Sequence, residues 1–216
     1  MRIGVKICGL SDPASVAAAV AGGARYLGFV FYGPSPRNIE PAAAAGLAAE
    51  VPAGISTVAV TVDATDDELA RIAAAHPFSF LQLHGRETPE RVREVKARFG
   101  IPVIKAVSVA GAEDILKARD YEDAADMLLF DAKPPKSMAG ALPGGNGLRF
   151  DWDLLGEKWR GARPWMLSGG LDAAVVAEAV AASGATLVDV SSGVEQSPGV
   201  KSVDKIRAFL DAVRKL

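Results

Sequence analysis

The chain has a single cysteine among its 216 residues, Cys8 in the run Val5-Lys6-Ile7-Cys8-Gly9. With no second cysteine to form a disulfide, it is either a small apolar filler or a reactive thiol. Gly9 follows at once, and Ser11-Asp12-Pro13 reads as a helix start, so the thiol stands at a strand-to-helix corner. A carboxylate, Asp131, ends another apolar run that begins at Met127. By itself it is either a site residue or a helix cap or ion-pair partner. Together the two form a candidate acid–base pair: placed on either side of a substrate, one removes a proton while the other donates one. A free thiol is only a few per cent ionised near neutral pH, so such a site must favour the thiolate. Lys6 and the start of the first helix are the available contributors.

Glycines cluster in three further places: Gly144-Gly145-Asn146-Gly147, Ser168-Gly169-Gly170-Leu171 and Ser191-Ser192-Gly193-Val194-Glu195. Ser168-Gly169-Gly170-Leu171 is expected to lead straight into a helix. Turns of this kind, with no Cβ in the way, expose backbone N–H groups and make an anion cradle. One Gly-Gly turn is often only a tight connection. Two at neighbouring strand ends, joined by Gly145-x-Gly147, point to phosphate. Arg37, in the loop Gly33-Pro34-Ser35-Pro36-Arg37, is a candidate to hold an anionic substrate group. His84, in Gln82-Leu83-His84-Gly85, is either a functional imidazole or a hydrogen-bonded structural residue. Asp63 either binds substrate or caps a turn, and His76 reads as a helix cap or surface residue. With two histidines and one cysteine far apart, no metal-ligand cluster is evident, nor is a Gly-x-Ser-x-Gly elbow or a Walker loop.

The elements that must position these residues follow a steady rhythm. Strands are expected at Gly4–Cys8, Tyr26–Phe31, Ser56–Val62, Phe80–Leu83, Val103–Val107, Met127–Asp131, Trp165–Ser168 and Leu187–Val190. Most are almost continuously apolar, as in a parallel sheet covered on both faces. Helices are expected from Pro13 to Ala24, Pro41 to Val51, Asp66 onward, Thr88 to Gly100, Leu171 to Ala182 and Ser202 to Leu216. A weaker pattern covers Glu113 to Asp123. After the sixth strand only a short helix, Trp152 to Trp159, is expected. Eight strand–helix units in 216 residues average about 27 residues each, near the lower end for a (β/α)8 barrel. No Gly-x-Gly-x-x-Gly follows the first strand, which disfavours an open doubly wound sheet. The expected architecture is therefore α/β: one parallel, eight-stranded (β/α)8 TIM barrel over residues 1–216, with a shortened or irregular helix after strand 6. Polar and glycine residues, including Lys105, crowd the C-terminal ends of the strands, where such barrels place their sites. The Pro/Gly/Ala-rich stretch from Lys133 to Gly147 reads as a mobile active-site loop rather than a linker.

Composition narrows the function classes. Half the residues are hydrophobic and the net charge is −2, so neither a nucleic-acid nor a membrane-surface partner is expected. No apolar stretch reaches a membrane span. The N-terminal run has no signal-peptide pattern, and with one cysteine a reducing, cytoplasmic setting is expected.

Taken in order, these segments resemble the phosphoribosylanthranilate isomerase family of tryptophan biosynthesis. The resemblance is carried by Lys6-Ile7-Cys8-Gly9, Gly28-Phe29-Val30-Phe31, Ser35-Pro36-Arg37, Gln82-Leu83-His84-Gly85, Ile104-Lys105-Ala106 and Leu129-Phe130-Asp131. It continues through Gly144-Gly145-Asn146-Gly147, Phe150-Asp151-Trp152, Leu167-Ser168-Gly169-Gly170-Leu171 and Val188-Asp189-Val190-Ser191-Ser192-Gly193-Val194-Glu195. It implies an Amadori rearrangement with Asp131 as general acid, Cys8 as general base, Arg37 on the anthranilate carboxylate, His84 among the substrate-binding residues and the backbone around Gly145, Gly147, Gly169, Gly170, Ser192 and Gly193 on the phosphate. It implies no cofactor and no metal, because the substrate nitrogen is the electron sink. The protein is expected as a monomer or homodimer acting on a phosphorylated small molecule. Asn146 stands where Thr or Ser is usual, Asn38 where an aromatic residue is more common, and the loop from Lys133 to Pro143 looks longer than usual. Two rivals are a related sugar isomerase of histidine biosynthesis and a non-catalytic phosphosugar-binding barrel. The first resembles a site with a carboxylate in the strand 1 position, where this chain has Cys8. The second has no need for both Cys8 and Asp131.

Overall fold

In the computed structural model, which describes residues 3–135 and 142–216, eight parallel strands close on themselves: β1 (Gly4–Cys8), β2 (Tyr26–Phe31), β3 (Ser56–Thr61), β4 (Phe80–Leu83), β5 (Val103–Val109), β6 (Met127–Ala132), β7 (Trp165–Leu167) and β8 (Leu187–Val190). Each pairs with the next, and β1 returns to β8 in a register that sets Lys6 opposite Asp189. The expected barrel is thus observed. Residues 136–141, within the expected loop from Lys133 to Gly147, lie outside the described residues, as do Met1 and Arg2.

The period-two alternation of a strand sorts the residues into two layers. Cys8, Val30, Val58, Val60, Ile104, Ala106, Met127, Leu129, Met166 and Leu187 pack together inside the barrel. Their strand neighbours, among them Val5, Ile7, Leu27, Phe29, Leu128, Phe130, Leu167 and Val188, pack in the larger core that also contains helix residues. This explains the near-continuous apolar runs: both faces are buried. It also carries Lys6, Gln82, Asp131 and Asp189 to the interior face, because each is two residues along its strand from an interior residue or belongs to the same parity.

The surrounding helices are α1 (Pro13–Ala21), α2 (Pro41–Ala49), α3 (Asp66–Ala75), α4 (Pro89–Phe99), α5 (Ala112–Lys117), α6 (Asp153–Lys158), α7 (Val176–Ser183) and α8 (Val203–Arg214). Their starts are written in the sequence. Asp12 caps α1 by accepting from Ser15 N–H at 2.9 Å, with Pro13 in the first turn. Thr65 and Glu68 form a reciprocal capping box on α3, and Thr88 caps α4, which ends on the left-handed Gly100.

Two expectations need correction. Ser168-Gly169-Gly170-Leu171 does not lead straight into a helix: α7 starts only at Val176. Gly169 and Gly170 take positive φ, and the Asp172 carboxylate then accepts the N–H groups of Ala174 and Val175, which closes a turn before the helix can begin. The helix after β5 is α5 followed by a 3₁₀ turn, Ala118–Tyr121, rather than one run to Asp123. A two-stranded hairpin, β9 (Glu195–Ser197) and β10 (Val200–Lys201), lies between β8 and α8. The short α6 after β6 is as expected.

Candidate active site

A cavity opens at the C-terminal end of the barrel. Cys8 and Asp131 both line it, from β1 and β6, together with Arg37, His84, Gly145, Gly147, Gly169, Gly170 and Ser192. Gly193 does not line it; it lies behind, against the backbone carbonyl of Leu171. Cys8 is a free, buried thiol. Asp63 lies at the rim as a turn residue with φ +47° and accepts the N–H of Arg86 at 2.6 Å. His76 is the C-terminal cap of α3. Lys105 faces outward from β5 and bonds Glu87 Oε2 at 2.7 Å and the carbonyls of Leu83 and Gly85, so it buttresses the β4 loop instead of entering the cavity.

Asp131 is only 4 % exposed. Its Oδ1 accepts from the N–H of Ala132 at 2.9 Å, and its Oδ2 lies 3.2 Å from His84 Nε2. Gln82 Nε2 lies 2.9 Å from His84 Nδ1. With the amide so oriented, Nδ1 accepts and Nε2 carries the proton that points at Asp131. Gln82 is the part of this chain that the residue pattern did not single out as functional; its interior parity, two residues before His84, is the signal that finds it.

Around Cys8 the interior is charged. Lys6, fully buried two residues back on the same face, donates to Asp189 Oδ1 at 2.8 Å, and Ser168 Oγ donates to Asp189 Oδ2 at 3.0 Å. Burial pushes the Cys8 thiol up. The Lys6 ammonium opposes this, Asp189 adds to it, and Lys201 opposes it more weakly. Burial works to lower Lys6 too, but Asp189 and Cys8 outweigh it and hold the ammonium above the ordinary lysine value. Lys6 thus stands beside the thiol as half of an ion pair, and Cys8 still lies above the ordinary thiol value.

Arg37 is not a free cation. Its Nε and Nη2 donate to Glu195 Oε1 and Oε2 at 2.7 and 2.9 Å, and Nη2 also to Gly145 O at 3.1 Å. Among the described residues its Nη1 makes no hydrogen bond. Gly145 is a glycine by necessity: φ is +74°, and a Cβ there would fall 2.6 Å from Arg37 Nη1. The loop before it closes as tightly, since a Cβ on Gly144 would fall 2.6 Å from Asp131 Oδ2 and 2.7 Å from His84 Nε2.

Among the described residues no group of three or more His, Cys, Asp or Glu could hold a metal ion, and no helix is long and apolar enough to cross a membrane.

A closed parallel (β/α)8 barrel with a thiol, a carboxylate and three glycine loops in one mouth is the architecture of a barrel enzyme. Comparison with known proteins makes this specific. The family model for N-(5'-phosphoribosyl)anthranilate (PRA) isomerase matches residues 5–212. The N-(5'-phosphoribosyl)anthranilate isomerase of Rhodospirillum centenum is 58 % identical over 211 residues, 97 % of each chain. That of Parvibaculum lavamentivorans is 55 % identical over 215 residues, 100 % of each. A crystal structure of a phosphoribosyl anthranilate isomerase in complex with reduced 1-(o-carboxyphenylamino)-1-deoxyribulose 5-phosphate superposes with a TM-score of 0.83 at 33 % identity, over 99 % of this chain and 100 % of that one. The chain belongs to the phosphoribosylanthranilate isomerase family.

Proposed function

We propose that this chain, acting as one catalytic domain, converts N-(5-phosphoribosyl)anthranilate to 1-(2-carboxyphenylamino)-1-deoxyribulose 5-phosphate in tryptophan biosynthesis. The observation that carries the reading is the presence of Cys8 and Asp131 in one cavity whose rim is built of glycine loops. Asp131 gives its proton to the ribose ring oxygen. The bond from that oxygen to C1 breaks, and the nitrogen lone pair forms the C1=N double bond of a Schiff base. The Ala132 N–H and His84 stand where they stabilise the carboxylate that Asp131 becomes. Cys8, as thiolate, takes the proton from C2. Those electrons form C1=C2, the nitrogen recovers its pair, and the enolamine tautomerises to the ketone.

The substrate's two anionic ends are served by different parts of the mouth. Backbone N–H groups around Gly145, Gly147, Gly169, Gly170 and Ser192, with Gly193 supporting them from behind, suit the phosphate. Arg37, whose Nη1 makes no hydrogen bond among the described residues and whose plane is fixed by Glu195, suits the anthranilate carboxylate. The product-like molecule held by the related crystal structure has both of these groups. Expression of the chain in a tryptophan auxotroph lacking this isomerase tests the reading: growth without tryptophan is expected, and no growth from a folded, expressed chain contradicts it.

A further inference from the structure

Lys201 takes no part in the acid–base scheme, yet its side chain is fully buried beside Cys8. It reaches back from β10 and uses its ammonium N–H groups on Ser191 O at 3.0 Å, Ser191 Oγ at 3.3 Å and Glu195 Oε1 at 2.8 Å. Ser191 Oγ in turn donates to the carbonyl of Cys8 at 3.1 Å. Gly9 leaves the room for this: a Cβ there would lie 3.3 Å from Lys201 Nζ and 2.8 Å from Arg37 Cδ. On the other side of the thiol, Gly28 does the same, since its Cβ would lie 3.0 Å from Cys8 Sγ and 3.2 Å from Lys6 Cε.

Lys6 on β1 and Lys201 on the hairpin act on the thiol as buried cations and Asp189 on β8 as a buried anion, while Arg37 is paired with Glu195 and Asp131 and His84 lie across the cavity. The buried cations Lys6, Arg37 and Lys201 are matched in number by the carboxylates Asp131, Asp189 and Glu195, but of the charges that act on the sulfur two are cations and one is an anion. A charge in a water-poor site is costly without a counter-charge beside it, and these two ammonium groups are what a thiolate on Cys8 would meet. We propose that Lys201, together with Lys6, is a positioning residue for the general base: it holds the Cys8 backbone through Ser191 and keeps a counter-charge beside the sulfur, so that the thiolate can form. This rests on the reading of Cys8 as base. The influence is mutual: burial pulls the Lys201 ammonium below the ordinary lysine value, with Glu195 and Cys8 opposing it only in part.

Because Cys8 is the only cysteine, alkylation by iodoacetamide as a function of pH reads its ionisation alone and needs no substrate. In Lys201→Met the midpoint is expected to rise by about one pH unit, with alkylation at neutral pH roughly ten-fold slower. Lys201→Arg is expected to restore the wild-type midpoint. Glu195→Gln, which removes the carboxylate that Lys201 Nζ meets at 2.8 Å, is expected to move the midpoint the opposite way. A merely structural role for Lys201 would shift both variants in the same direction or leave the midpoint unmoved, and either result overturns the proposal. Should Lys201→Met not fold, the sign of the Glu195→Gln shift decides it. Turnover of phosphoribosylanthranilate is measured in parallel. Expected midpoint shifts without wild-type turnover would overturn the reaction assigned above and leave the charge arrangement standing.

Discussion

Arg37 and Glu195, 158 residues apart, meet in a buried two-pronged ion pair, Nε to Oε1 at 2.7 Å and Nη2 to Oε2 at 2.9 Å. The pair joins the loop after β2 to the hairpin after β8, and so closes the rim across the β1–β8 seam. Its bidentate geometry fixes the guanidinium plane before any ligand arrives, and a second cation, Lys201, shares Oε1 at 2.8 Å.

Glu195→Gln should therefore be strongly destabilising, because it leaves two buried cations without their carboxylate. Removing one partner of a buried pair costs about 3 to 5 kcal/mol, which for a domain of this size corresponds to a fall in Tm of roughly 10 °C. The loss should depend on pH. Burial works to raise the Glu195 carboxyl, but Arg37 and Lys201 outweigh it and hold it below the ordinary value of 4.5. A depressed carboxyl contributes stability that is present above the unfolded value and lost as pH falls through the folded one. Thermal melts should show the gap between wild type and variant widest above pH 5 and shrinking below pH 4. A constant gap would contradict the ion-pair account.

His84→Ala should lower kcat by roughly 10- to 100-fold with little change in KM, since it removes the side-chain donor 3.2 Å from Asp131 while leaving the glycine loops intact. His84→Gln retains an N–H and should recover part of the loss. An Ala variant with unchanged kcat and raised KM would instead make His84 a binding residue alone.

Gly144→Ala should keep the fold and damage the chemistry. The new methyl group would press on Asp131 Oδ2 and His84 Nε2 at 2.6 and 2.7 Å, and displacing a catalytic group by about 1 Å can cost on the order of 100-fold in rate. Steady-state kinetics beside a melt separates the two effects: wild-type kinetics would show that the loop moves away at no cost.

Much of this was legible in the sequence because the barrel is repetitive. β1, β2, β4 and β8 match the expected ranges residue for residue, since each is an apolar run bounded by turn residues. β5 runs two residues beyond Val107, into the polar Ser108, because pairing with β6 continues there. The late start of α7 was hidden because Leu171 to Val175 has helical composition, and only the side-chain turn of Asp172 interrupts it. In the site, Cys8, Asp131 and the glycine loops were readable from residue type and strand position. Lys105 was misleading: it is a polar residue inside an apolar strand, as a site residue can be, but has the outward parity and meets Glu87. Lys201 could not be reached by local pattern. Lys201 gains its meaning only when the hairpin folds it back under Ser191 and Gly9, and Gln82 only through His84.

The central claim is that Cys8 and Asp131 divide the proton transfers of one isomerisation. It is tested most directly by kcat/KM of purified wild type, Cys8→Ser and Asp131→Asn on N-(5-phosphoribosyl)anthranilate, with the sugar-isomerase substrate of histidine biosynthesis as the control. The account predicts turnover of the first substrate by wild type and a loss of roughly 100- to 10,000-fold in each variant, with melting behaviour close to wild type. Undiminished isomerisation in either variant, or turnover of the control substrate alone, would contradict it.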